Sequence, residues 1–547
     1  MPTYRTLGYL MIEPDYSYKS KYWKYLSNYF IKFYGKKRIS DPNCVQRILM
    51  NCFGLLSYNF RSLVEKERRV SFYLFVHNFH ENSVILWQES ISGNPDLRVT
   101  NDFPAVRRIL KLILEEATLF DLKGHSNFEY EISLNYSIYL TLLEEILYVG
   151  IWYYLLSEYI AKSKLFPNSI SLGIEDDNLI IYENYPYNHL FEYIEKDIPN
   201  HDKEVAIDNN VEIIKAAFKE LGIDYNVLGS VISEQPDTPS SRFALVNLNL
   251  LIDEICSRFN YDKTIVQDFY SGLTLSRRNT PFLDQRVLAN QNNHRIVYRP
   301  ILEYKIDNAT FYLIGYNKWL ESFTSLSTNA IPWGEAPEEW LKYNSISKLV
   351  RSIQNHHDKV LEEPINKFLM NKGYKYHMNV KAICTSPTSS IRIDKEETGE
   401  IDLILWDESR KQIVIGECKH NRSRFDFNNW RRDYSNFTNQ YESKLEKKVE
   451  WCRSHLDLVC KHLLLKSGEH NEETSNYTVT GIFIINAPTL YMYNGKFKTY
   501  TIHDFINYLE GKYIEPTFKF IKKNSKETIE VKYPFFANLE FLEKISS

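Results

Sequence analysis

The sequence predicts a two-part chain: a mostly helical region over residues 1–340 with one β-hairpin, then an α/β domain over residues 341–547, ordered α-β-β-β-α-β around a mixed sheet. Three observations carry this reading. Apolar residues recur at spacings of three and four through much of the first part, the signature of helices with one buried face. The texture changes at Arg295–Tyr316, where two β-rich runs flank a Lys-Ile-Asp-Asn turn, and again at the Pro- and Gly-containing loop Ile331–Pro337. Beyond residue 340, short apolar runs alternate with long helical stretches, the order that builds a sheet covered by helices.

In chain order, Val106, Ile109, Leu110, Ile113 and Leu114 mark one helix and Ser137–Ala161 another. Val70–Val76 and Val84–Trp87 are rich in β-branched and aromatic residues and read as a strand pair. The most apolar run, Ile146–Leu156, is 11 residues long. A membrane span needs about 20, so a buried helix and no membrane association are expected. Residues 174–210 carry Asp176, Asp177, Glu183, Glu192, Glu195, Asp197, Asp202, Glu204 and Asp208, and read as a solvated connector and a possible domain break rather than a metal cluster. Helical spacing returns over 211–285, interrupted by a loop at Ser230–Ser241 that contains Pro236 and Pro239. Then come the hairpin and a boundary near residue 340.

In the second part a helix is predicted over Asn344–Asn371, with Pro364 as an internal kink and Gly373 as its stop. Strands follow at Tyr376–Ile383, Glu400–Trp406 and Gln412–Lys419. A helical stretch is expected over Asn428–Leu465, a buried strand over Val479–Asn486, a further strand within Tyr491–Thr501 and a short helix at His503–Leu509.

Composition is that of a globular protein, 44% hydrophobic and 25% charged, with a net charge of −4. No general basic field exists, so any affinity for phosphate must be local. The 40 Tyr, 31 Phe and 9 Trp read first as packing and second as stacking platforms for bases. The cysteine count of 7 is odd and no CxxC spacing occurs. That argues against a disulfide framework and a Cys-based zinc site, and predicts a reducing, cytoplasmic setting. Met1–Tyr25 lacks an apolar stretch before a cleavage site, so no signal peptide is expected. No GxxxxGK[ST] or GxSxG pattern occurs, so neither an NTPase nor a serine hydrolase is indicated.

Chemistry concentrates in the two apolar strands Gly399–Trp406 and Gln412–Lys419, which carry Asp402, Glu417 and Lys419 in their interiors. Charges inside apolar strands are costly unless paired or metal-bound. Alternation puts Glu417 and Lys419 on one face and Cys418 on the other, and Asp402 of the neighbouring strand can join the first two. Two carboxylates offer hard oxygen ligands to Mg²⁺ or Mn²⁺. The Lys419 ammonium suits an attacking water and developing negative charge, and the backbone carbonyl of Cys418 offers a further metal ligand. This set suits phosphodiester hydrolysis. The bland alternative is a buried Asp402–Lys419 or Glu417–Lys419 ion pair. From Arg410 to Arg453, 11 Lys and Arg face 6 Asp and Glu, a net of +5, including Arg422, Arg424, Arg431 and Arg432, interleaved with Phe425, Phe427 and Trp430. Such a patch suits a phosphate backbone, or is a solvated helix face. His420 either reaches a scissile phosphate or simply ends the strand. His356 and His357 are adjacent on a predicted helix, point about 100° apart and do not chelate by themselves.

This segment resembles the core of the PD-(D/E)xK, restriction-endonuclease-like nuclease superfamily, which includes restriction enzymes, Mrr-type and RecB-type nucleases and Holliday-junction resolvases. The family Asp falls on Asp402 and its E-x-K on Glu417-Cys418-Lys419, with 14 residues between Asp and Glu. Ile401 stands where many members carry Pro. The resemblance spans about residues 345–510 and implies a Glu on the preceding helix, for which Glu362 is the candidate and Glu363 the rival. It also implies a Gln or Lys on the following helix, for which Gln440 and Lys444 lie one turn apart. By resemblance the expected function is a Mg²⁺- or Mn²⁺-dependent nuclease acting on nucleic acid, DNA ahead of RNA. The role expected is defence against foreign DNA, with repair, recombination or transposition as alternatives. The N-terminal region is expected to recognise, regulate or hold a protein partner, and a homodimer suits double-strand cutting. The competing class is an inactive nuclease-fold scaffold that binds nucleic acid or a protein.

Overall fold

In the computed structural model, all residues are described except 1–2, 125–126, 185–186, 189–190, 192–210, 235–242, 290–293, 422–425, 469–475, 516, 522–526 and 533–547. The chain divides into one unit of residues 1–182 and 207–354 and a second of residues 183–206 and 355–547. The result is a mixed α/β protein with a helical N-terminal region.

The first unit opens with the hairpin β1 (Thr3–Thr6) and β2 (Tyr9–Ile12), followed by helices α1 (Lys19–Tyr34), α2 (Pro42–Lys66), α3 (Val70–Ile91) and α4 (Phe103–Ala117). After the short strand β3 (Asp121–Leu122) comes α5 (Phe128–Leu165), which packs along α2. The strand pair expected at Val70–Val76 and Val84–Trp87 is instead one helix, α3. Val70 to Val76 are all buried in sequence, so α3 is surrounded by protein and shows no one-sided pattern. Its β-branched and aromatic content answers to core packing, not to a strand. α5 is long and apolar enough to cross a membrane, and 72% of its most apolar window is buried inside the protein.

The acidic stretch read as a connector begins with a strand pair, β4 (Ile170–Glu175) and β5 (Asn178–Glu183). Asp176 and Asp177 form its turn, both at positive φ (46° and 58°), where short polar side chains are tolerated. Glu192, Glu195, Asp197, Asp202, Glu204 and Asp208 lie outside the described residues. Helices α6 (Val211–Glu220), α7 (Tyr225–Glu234), α8 (Leu248–Phe259), α9 (Lys263–Gly272) and α10 (Leu283–Leu288) follow, with strands β6 (Phe243–Val246) and β7 (Thr274–Leu275) among them. Most of the loop expected at Ser230–Ser241 lies outside the described residues, and α7 covers its start.

The predicted hairpin is present as β8 (Ile301–Ile306) and β9 (Ala309–Gly315), with Asp307 and Asn308 at positive φ in a two-residue turn. It is shorter than its apolar run. Arg295 lies outside it, buried, its guanidinium donating to Glu115 at 2.8 and 3.0 Å. The sheet order is β3-β8-β9-β6, with β7 also paired to β8. Helices α11 (Tyr316–Ser325) and α12 (Glu338–Leu341) lead to α13 (Asn344–Lys372), which contains Pro364 and within which the division between units falls.

The second unit is built on a five-stranded mixed sheet of order β10-β13-β14-β15-β16: Lys375–Val380, Ile401–Asp407, Gln412–Lys419, Thr478–Ile485 and Lys498–Thr501. The first three strands are antiparallel and the last two run parallel to β14. The strand expected to continue to Ile383 stops at Val380, beside Asn379 at φ 53°. Ile383 belongs to a separate hairpin, β11 (Ala382–Ser386) with β12 (Ser389–Arg392). The single helical stretch expected over Asn428–Leu465 is three helices, α14 (Phe427–Asn436), α15 (Glu442–Ser454) and α16 (Leu456–Ser467), with a π-turn at Phe437–Tyr441. Tyr491–Thr501 splits into a helical turn, α17 (Tyr491–Asn494), and β16, and α18 (Ile502–Leu509) follows. The strands β17 (Thr517–Ile521) and β18 (Thr528–Lys532) pair with each other.

Each sheet face buries its own core. Ile404, Trp406, Ile413 and Ile415 pack with Leu445, Val449 and Cys452 of α15 and Val459, Cys460 and Leu463 of α16. Leu403, Leu405 and Val414 pack with Ile365 and Leu369 of α13 and Phe505 and Leu509 of α18.

Candidate active site

Antiparallel register pairs Leu403 with Gly416, so the next rung faces Asp402 across to Glu417, at the end of both strands. By alternation these two carboxylates and Lys419 share the face covered by α15, and Cys418 turns to the other. The carboxylate of Asp402 accepts the backbone N–H of Cys418 at 2.8 Å. Lys419 Nζ donates to Glu417 Oε1 at 2.8 Å and lies 5.1 Å from the centre of the Tyr441 ring. The expected trio is therefore assembled.

A fourth member was not anticipated. Lys448 of α15 donates Nζ to Glu417 Oε2 and stands 4.0 Å from Asp402 Oδ1. Its side chain is 8% exposed, against 5% for Glu417, 20% for Asp402 and 25% for Lys419. Gln440 and Lys444, the residues weighed for this helix, are both exposed. The readable signal was a lysine on an apolar stripe: Leu445, Lys448, Val449 and Cys452 fall at helical spacing and all are buried.

Glu362 sits on α13, which covers the opposite face, and accepts from Asn379 Nδ2 of β10 at 2.8 Å. Glu363 is exposed. Among the described residues no three His, Cys, Asp or Glu side chains come together as a metal-holding group. Glu362 thus does not complete a three-carboxylate cluster with Asp402 and Glu417, because the sheet lies between its helix and their face.

The electrostatics are lopsided. Burial, then the charge of Glu417, pushes the Asp402 carboxyl up to about 7, against the opposing pull of Lys448, Lys419 and the Cys418 N–H. Burial also works on Glu417, but Lys419 and Lys448 overcome it and hold its carboxyl below the usual range. Burial disfavours the Lys419 ammonium, yet Glu417 and Asp402 keep its pKa above the ordinary lysine value. The Cys418 thiol is driven well up, by burial first and then by Asp402, Glu362 and Glu417, so it is no thiolate ligand.

The basic patch divides. Arg422, Arg424 and Phe425 lie outside the described residues. Arg432 is exposed, whereas Arg431 is half-buried, and burial pushes its guanidinium down. Phe427 and Trp430, expected as possible stacking platforms, are buried at 4% and 1% exposure and pack edge to face on each other at 4.9 Å. They are core and cannot stack on bases. Burial pushes His420 down to about 4, so near neutral pH it is a neutral imidazole and carries no charge to offer a phosphate. His356 and His357 lie on α13, but their side chains are outside the described residues.

One observation bears on a metal. Glu417 Oε2 and Asp402 Oδ1 already share one cation, the Lys448 ammonium. Two hard carboxylate oxygens converging on one positive charge fit Mg²⁺ or Mn²⁺, with water and phosphate oxygens completing the shell. Compared with family models, curated proteins and solved structures, the chain matches none.

Proposed function

We propose that the second unit is a metal-dependent nuclease of the PD-(D/E)xK, restriction-endonuclease-like kind that hydrolyses phosphodiester bonds, DNA being the preferred substrate. The observation that carries this reading is the facing pair Asp402 and Glu417, with Lys419 two residues on, at the end of an otherwise apolar strand pair. The strand order α13-β10-β13-β14-α15-β15 supports the same reading, with a hairpin inserted after β10.

In this mechanism Asp402 and Glu417 would hold the metal, with the Cys418 carbonyl as a further oxygen ligand. The metal would polarise the phosphoryl group and acidify a water. Lys419 Nζ orients the attacking water and neutralises charge that grows on the phosphoryl oxygens. Lys448 balances Glu417 while the site is empty of substrate, and the N–H of Cys418 fixes the Asp402 carboxylate. Arg432, with Arg422 and Arg424, tracks the backbone of the nucleic acid. Defence against foreign DNA is the role proposed, carried out in the cytoplasm.

The test is cleavage of single-stranded, double-stranded and branched DNA and of RNA with Mg²⁺ or Mn²⁺. Wild type is expected to cut at least one of these, and Asp402→Ala and Lys419→Ala to cut none while keeping the wild-type circular dichroism spectrum. One observation favours a second reading, an inactive nuclease-fold scaffold: Lys419 and Lys448 together already satisfy Glu417. A well-folded wild type that cuts nothing and shows no saturable Mg²⁺ or Mn²⁺ binding would select it.

A further inference from the structure

The helical unit contains a cleft of about 600 Å³, within the 300–1,000 Å³ typical of small-molecule sites. It lies between α8, α9 and the outward face of β8–β9, and its walls are predominantly polar. Two of its four charged groups, Asp268 and Glu339, are already engaged, as is Asn279. Asp268 accepts from Lys342 at 3.0 Å and from Tyr343 at 2.9 Å. Glu339 is gripped by both arms of Arg299, at 3.1 and 2.9 Å. Asn279 bonds the backbone of Ser276 and Thr274.

What remains is a small, distinctive set. The guanidinium of Arg278 and the amides of Asn249 and Gln267 line the cleft with no side-chain hydrogen bond or ion pair among the described residues. Glu303, opposite Tyr312 across the hairpin, accepts among the described residues only the Tyr312 hydroxyl, at 3.3 Å. Arg277, next in sequence to Arg278, is spent on Asp121 at 2.8 Å. Of two consecutive arginines, one is structural and the other faces the cleft uncommitted. Polar groups that line a concave site and lack partners are the ones that fix a ligand's orientation.

We propose that this cleft binds a small polar molecule whose anionic group pairs with Arg278 and whose amine or hydroxyl donors reach Glu303. Arg presents a planar fork suited to carboxylate or phosphate. Glu303 accepts hydrogen bonds from an ammonium or from neighbouring hydroxyls, and the free amides of Asn249 and Gln267 read the rest of the molecule. Amino acids and nucleotides share this chemistry. An apolar ligand does not fit, since it would strip these groups of water without replacing their hydrogen bonds. The inference concerns the helical unit and stands whether or not the second unit is a nuclease.

The test is isothermal titration of the full chain with two sets of probes: AMP, ATP and GTP in one, glutamate and arginine in the other. Saturable one-to-one binding in either set is expected, and the set that binds names the source. Arg278→Ala and Glu303→Ala should each weaken that ligand at least tenfold. Arg277→Ala, which removes the same charge one residue away, should leave binding unchanged. No saturable binding in either set, an Arg278→Ala variant that binds like wild type, or equal losses from Arg277→Ala and Arg278→Ala would overturn the proposal.

Discussion

Replacing Asp402 by Asn should make the second unit more stable while abolishing cleavage. The folded protein raises this carboxyl from its ordinary 3.8 to about 7, a shift of about 3 units. At about 1.4 kcal/mol per unit this is roughly 4 kcal/mol of disfavour for the ionised form. The side chain keeps 20% of its surface open, so a discounted figure of about 2 kcal/mol is expected. A raised folded pKa is stability present below pH 4 and lost as the pH climbs to 7, because in that window the folded state holds a proton that the unfolded state has released. Asn keeps an acceptor for the Cys418 N–H and has no charge to bury. The advantage of Asp402→Asn over wild type should therefore be near zero at pH 3, grow as the pH rises through 4, and reach its plateau above pH 7. Hydrogen–deuterium exchange of peptides covering Ile401–Lys419, in EDTA and corrected for intrinsic rates, reads this directly. A variant no better protected than wild type at pH 8, or an advantage that does not change with pH, would refute the electrostatic account. Adding Mg²⁺ should stabilise wild type and leave the variant behind.

Other outcomes follow from single contacts. Lys448→Met removes one of two ammonium partners of buried Glu417. It should cost about 2–3 kcal/mol in urea unfolding, below the 3–5 kcal/mol of a fully broken buried pair. It should also tighten Mg²⁺ binding by calorimetry, since the ammonium no longer competes. His462 Nδ1 accepts the Cys384 N–H at 2.9 Å, so its Nε2 carries the hydrogen given to His377 Nδ1 at 2.8 Å. Burial, then His377 and Lys466, pushes His462 down to about 4. As pH falls from 6.5 to 4 the unfolded state takes the proton first, and about 3 kcal/mol of stability is lost. His462→Phe should flatten that slope in unfolding curves and cost about 1–3 kcal/mol at pH 7 by orphaning the Cys384 N–H. A side chain on Gly315 would run into Glu81 and His77, where Glu81 caps α11 through the N–H groups of Asn317 and Lys318 at 2.7 and 3.1 Å. Gly315→Ala should cost the first unit about 1–3 kcal/mol of stability, read as a lower melting temperature.

Much of the second unit was legible because its signals are local. Alternation alone puts Glu417 and Lys419 on one face of a strand, and the hairpin length brings Asp402 opposite. The span of α13, with its internal Pro364 and the stop at Gly373, followed from periodicity and terminator residues. The same local rules misread α3, since a helix buried on every side has no polar stripe to reveal it and its Val, Phe and Tyr then look like strand. For partners distant in sequence, the apolar stripe marks Lys448 as buried but not what it meets. Lys448 meets Glu417 only because α15 packs across the sheet at one particular register, and nothing in the spacing from Lys419 to Lys448 fixes that register. Glu362 has the residue type that the resemblance implies, on the helix before the strands, yet the sheet separates it from Asp402, a matter of which face the helix covers. Phe427 and Trp430 resemble stacking platforms in sequence and are core in space. The sequence by itself determined that Asp402, Glu417 and Lys419 stand as charges within apolar strands, at positions that can share a face. Only the tertiary structure decided which side chains share that face, because burial and helix docking are set by the packing of the whole unit and not by any one segment.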